Sequence, residues 1–128
     1  MRTRRGAIGW FRRNSALRTR GYGGLCLRAV RTAWGLPGMY ADADTYWAAV
    51  PARHKHAWDN NPPKGAVVYW QIGKYGHVAL SNGEGEIWGS DLPTQGLVGK
   101  TSIHTPRVKW GAKPVGWASW LNGSTLPL

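Results

Sequence analysis

Only one cysteine, Cys26, occurs in the 128 residues, so neither an intramolecular disulfide nor a multi-cysteine metal site is available. No run approaches eighteen consecutive apolar residues, which removes the usual signature of a membrane-spanning helix. The N-terminus is basic but lacks the apolar segment of a secretory signal. The protein is therefore expected to reach its place of action by another route or as a module of a longer chain. Acidic residues are absent from the first 31 positions, where nine arginines stand; the remainder is close to charge balance.

That asymmetry favours a polyanionic partner: nucleic acid, an anionic membrane surface, or wall polymers bearing phosphate and carboxylate. Nine tryptophans, from Trp10 to Trp120, are spread along the chain rather than clustered. Each buries a large area and seeks a partner for its N–H, so their spread suits core filling and groove lining.

Residues 1–20 read as a basic arm, with a short helical stretch around "IGWFRRNSALR". The segment "GYGG" then breaks the chain. "LCLRAVRTAWG" is apolar over a wide arc and ends at Gly35 and Pro37, which predicts a largely buried helix of about ten residues. Asp44 is a candidate N-cap for a second short helix that Pro51 ends. From residue 65 the pattern turns to strands: "AVVYWQI", "GHVALS", "IWGSD" after the turn signal "NGEGE", and "PVGWASWL". Residues 92–105, "LPTQGLVGKTSIHT", read as loop with one further strand. The expected class is α+β, with N-terminal helices packed on a small antiparallel sheet. The domain spans 21–123, and 124–128 form a tail.

A cysteine in the first turn of a helix meets unpaired N–H groups and the positive end of the macrodipole, both of which favour thiolate. The same N–H groups suit an oxyanion. His77 opens an apolar strand behind a glycine, a placement from which it can take the thiol proton. His54 and His56 lie in the polar "RHKH", and His104 in a loop-like region. If "NGEGE" reverses the chain through a four-residue loop, Ser90 stands across from His77. A one-residue slip selects Asp91, whose carboxylate stabilises an imidazolium better than a hydroxyl does. A zinc site from "HKH" plus His77 lacks a suitably spaced carboxylate or cysteine.

The cysteine after "GYGGL", followed about fifty residues later by "PPKGAVVYWQIGKYGHVAL", resembles the CHAP and NlpC-type branch of the papain-like peptidases. The glycine and "WGSDLP" after the hairpin are similar to lysin domains of actinobacterial phages. The likeness spans Tyr22 to about Trp120. It implies a papain-like fold and a peptidoglycan hydrolase with Cys26 as nucleophile, His77 as base and Asp91 as orienting residue, Ser90 being the alternative. It implies neither metal nor cofactor. Two positions depart from the pattern. Leu25 stands where many members have a glutamine, which makes Tyr22 the candidate oxyanion donor. Ala66 stands where many have an aspartate. The expected partner is bacterial peptidoglycan, with anionic wall polymers held by the arginine-rich arm, and the expected form a monomer released by lysis machinery or carried by a particle. The competing expectation is a basic, tryptophan-rich module that binds wall polymers or nucleic acid without turnover; no recognised nucleic-acid motif supports the latter.

Overall fold

Four helices and eight strands follow one another as α1 (Arg4–Ala16), α2 (Cys26–Trp34), α3 (Ala43–Ala49), β1 (Lys55–Ala57), β2 (Val67–Gln71), β3 (His77–Ser81), β4 (Glu86–Ser90), β5 (Val98–Ser102), α4 (Thr105–Trp110), β6 (Lys113–Ala118), β7 (Trp120–Leu121) and β8 (Ser124–Thr125). The computed structural model describes residues 1–128. The architecture is α+β. Six strands form one antiparallel sheet in the order β1-β6-β2-β3-β4-β5, and β7 and β8 pair separately. The expected meander is β2 to β5. The last long strand returns to the other side of β2, and β1 closes that edge.

Alternation along the strands gives the sheet two buried faces. One carries Val67, Tyr69, Val78, Leu80, Trp88 and Val98 and meets the helices. Along it α3 packs on β2, α2 on β3, and α1 on β4 and β5. The other face carries Val68, Trp70, Ala79, Ile87 and Trp117 in a smaller core. Helix α2 buries Leu27, Ala29, Val30, Ala33 and Trp34. Gly35 ends it in the left-handed conformation at φ 71°. The Arg2 guanidinium donates to the Thr32 and Ala33 carbonyls at 2.6 and 3.0 Å, a cation closing a helix C-terminus.

Several expectations need correction. The segment read as an arm is integral to the fold: α1 buries Ala7, Ile8, Trp10 and Phe11 and turns Arg4, Arg5, Arg12 and Arg13 outward. Its apolar stripe is only four residues wide, and the surrounding arginines obscured it. Residues 124–128 are not a loose tail, because β8 pairs with β7, and Leu126 is buried and donates its N–H to Ser119. The N-cap of α3 is Asp42, which accepts from Thr45 N–H at 2.8 Å. Asp44 lies in the first turn. The "RHKH" stretch contributes β1, and the loop-like region after β4 contains β5 and leads into α4. No helix is long and apolar enough to cross a membrane.

Candidate active site

Cys26 is the first residue of α2, preceded by Leu25, which offers no side-chain cap. Backbone N–H groups of Val78, Leu27 and Cys26 itself approach the sulfur and favour thiolate. Burial outweighs them and pushes the thiol up to about 11, with the nearby Asp91 charge adding to the rise. The thiolate expected from the helix terminus is thus overturned for the resting state. The amide contributions exist, but desolvation is larger.

The Val78 N–H places the sulfur beside the start of β3, where His77 stands. His77 is 5% exposed. Its ring lies 5.8 Å from Trp70 and meets Trp110 edge-on at 5.0 Å, centroid to centroid. Burial among these indoles pushes its pKa down to about 4, against the pull of Asp91. Nε2 is buried without a protein partner. The turn before His77 requires glycine. Gly76 has φ 74°, and a Cβ there would collide with the Asp44 carboxylate and come within 3.0 Å of the Tyr69 ring. Asp44 braces this turn by donating its N–H to the Tyr75 carbonyl and accepting the Tyr69 hydroxyl.

The β3–β4 pairing is Leu80 with Trp88 and Ser81 with Ile87. Continued toward the site, this register sets residue 91, not residue 90, across from His77, the one-residue slip weighed from the sequence. Asp91 nevertheless does not hydrogen-bond to the imidazole. Its backbone is left-handed at φ 65°, and the carboxylate accepts the Gly24 N–H at 2.7 Å and the Gly96 N–H at 2.8 Å. Asp91 therefore ties the loop before the nucleophile to the loop after β4, while its charge acts on both Cys26 and His77. Ser90 shares the helix-facing side with Trp88, whereas His77 shares the opposite side with Ala79. The Ser90 hydroxyl is buried and unpaired. Tyr22 packs its ring at right angles on Trp10, 5.4 Å away, within the helical layer.

The chain matches no protein-family model, no curated protein and no solved structure.

Two clefts meet at Gly24. One, of about 550 Å³, runs from Cys26 along α2 past Arg28 and Arg31 to Tyr40 and Tyr75. The other, of about 450 Å³, is bounded by Asp91, Gln95, Lys109 and Trp110. Tyr22 lines neither, and the backbone N–H groups that approach the sulfur are those of Val78 in β3 and of Leu27 and Cys26 at the start of α2. Gln95, Lys109 and Trp110 were missed in the sequence. The signal for α4 was nevertheless there: "HTPRVKWG" has Pro106 at the helix start and Gly111 as a left-handed C-cap at φ 68°. The remaining histidines near β1 are engaged elsewhere. His54 contacts Ser119 at 2.9 Å, and His56 stacks on Trp117 at 3.8 Å. No group of three or more His, Cys, Asp or Glu side chains is arranged to hold a metal.

Proposed function

We propose that the chain is a papain-like thiol hydrolase that cleaves a peptide or amide bond of bacterial peptidoglycan. The observation that carries the reading is the convergence of three separate segments. The thiol of Cys26 at the start of α2 meets the backbone directly after His77, and Asp91 lies within electrostatic reach of both. The larger cleft is lined by Cys26 and the smaller adjoins it at Gly24, which supports an extended substrate passing the nucleophile. The substrate class rests on the resemblance of the cysteine and histidine segments to CHAP and NlpC-type peptidases. The outward arginines of α1 suit contact with anionic wall polymers.

Burial favours the neutral form of both reacting groups, pushing the thiol up to about 11 and the imidazole down to about 4. A proton transfer that accompanies the attack of the sulfur suits this neutral pair better than one that precedes it. In the reaction Cys26 gives its proton to His77 and its sulfur adds to the substrate carbonyl. Backbone N–H groups at the start of α2 stabilise the developing oxyanion. His77 then protonates the leaving amine, and water attacks the thioester to release the acid and restore the thiol. Asp91 favours the transient imidazolium through its charge and keeps the Gly23–Leu25 loop in place through Gly24.

Incubation with purified peptidoglycan tests the reading. Wild type is expected to release new amino groups, and folded Cys26→Ala none. Salt-sensitive binding without amine release by either protein marks a non-catalytic binding module instead and overturns the hydrolase.

A further inference from the structure

We infer that Arg28 and Arg31 form a carboxylate-binding subsite that selects an acidic group within about two residues of the bond attacked by Cys26. This rests on the thiol-hydrolase reading of the site. The larger cleft combines an apolar rim with two cations. Leu25, Met39 and Tyr75 line it at 41%, 54% and 58% exposure, three of the seven exposed large hydrophobic residues of the chain. Arg28 and Arg31, three apart on α2, present neighbouring guanidinium groups to the same space. Neither has an ion-pair partner; the chain's one side-chain ion pair is Lys100 with Glu86, at 3.5 Å.

The cleft's single acid, Asp42, is occupied with its own helix, since Oδ1 accepts the Thr45 N–H at 2.8 Å and the Thr45 hydroxyl at 2.9 Å. Arg31 is steadied in position: a Cβ at Gly38 would lie 3.4 Å from its guanidinium, which also reaches the Leu36 carbonyl at 3.5 Å. Arg28 is exposed and free to close on a ligand. Along the helix axis Arg28 lies about 3 Å and Arg31 about 7.5 Å beyond Cys26. An extended peptide advances about 3.3 Å per residue, which places the matching carboxylate on the first or second residue from the scissile bond. The planar guanidinium fork fits a carboxylate with two parallel hydrogen bonds, and a carboxamide forfeits both the charge and half the acceptors.

Two synthetic wall stem peptides test this, one with its side carboxylates free and one with them converted to carboxamides. Each is titrated into folded Cys26→Ala protein by calorimetry at low salt. The acid form is expected to bind at least about tenfold more tightly. The preference is expected to vanish when Arg28→Gln is added and to shrink as sodium chloride is raised. Equal binding of the two forms, binding of neither, or a preference that survives both Arg28→Gln and Arg31→Gln overturns the subsite. Amine release from peptidoglycan by wild type is scored separately. A hydrolase that ignores the carboxylate fails only this inference, whereas a carboxylate binder that releases no amine fails the hydrolase and keeps only the arginine site, without its placement beside an attacked bond.

Discussion

At Asp91 a single carboxylate satisfies two backbone amides from different loops, Gly24 and Gly96. Asp91→Ala leaves both amides without that partner and is expected to cost about 1–3 kcal/mol in chemical denaturation. By contrast, Ser90→Ala removes a buried hydroxyl that has no partner, so its stability is expected to be unchanged or raised in the same measurement. His77 makes a pH prediction. Its folded pKa, about 4, lies below the ordinary 6.5, so between these values the unfolded chain binds more protons than the folded one. The stability contributed by the neutral, buried ring is complete above pH 6.5 and is lost as pH falls toward 4. The loss is expected to reach about 2–3 kcal/mol. Thermal melts of wild type and His77→Gln across that window check it: the variant should show a shallower decline. The positions of Cys26 and His77 were legible because each carries a strong local signal, a helix start and a strand start. Their protonation was not legible, because it depends on burial by distant elements, among them the indoles of Trp70 and Trp110 that reach the histidine.

Among the elements, α2 and β2 to β4 announced themselves through period and punctuation. The turn at Gly76 shows how little room lies behind such a signal. Its φ of 74° and the Asp44 carboxylate at the Cβ position both demand glycine. Gly76→Ala is expected to destabilise the fold by about 2 kcal/mol or more, through strain and displacement of Asp44 from Tyr69. Urea denaturation gives the cost, and because this turn leads directly into His77, amine release should fall as well. The packing of α1 and the existence of α4 escaped the sequence reading for opposite reasons. In α1 four arginines flank a stripe of only four buried apolar residues, so composition hid the buried face. In α4 only Pro106 is buried, so no apolar face marked a helix of six residues.

For the whole molecule, the decisive contact is that of α1 with the rest. Phe11 stacks on Trp88 at 6.4 Å, and Trp10 supports Tyr22 just ahead of the nucleophile loop. Burying Ile8, Trp10 and Phe11 contributes about 1.5–3 kcal/mol each, which together rivals a typical net stability of about 5–15 kcal/mol. Removal of residues 1–20 is therefore expected to abolish cooperative unfolding and expose dye-binding apolar surface. Arg12→Ala with Arg13→Ala, on the outer face, should leave the melt intact. A truncated chain that still unfolds cooperatively would restore the view of this segment as an arm.

Local sequence was enough to determine the helix beginning at Cys26, the strand beginning at His77, the hairpin between β3 and β4, and the α+β class. Each depends on periodicity, glycine and proline within a few residues. Tertiary structure alone decided that the arginine-rich segment packs inside, that β6 returns beside β2, and that Asp91 grips Gly24 rather than the imidazole. It also decided that burial holds the thiol and the histidine neutral. Those outcomes depend on which distant groups fill the space around a residue, and desolvation and packing have no signature in any short stretch of chain.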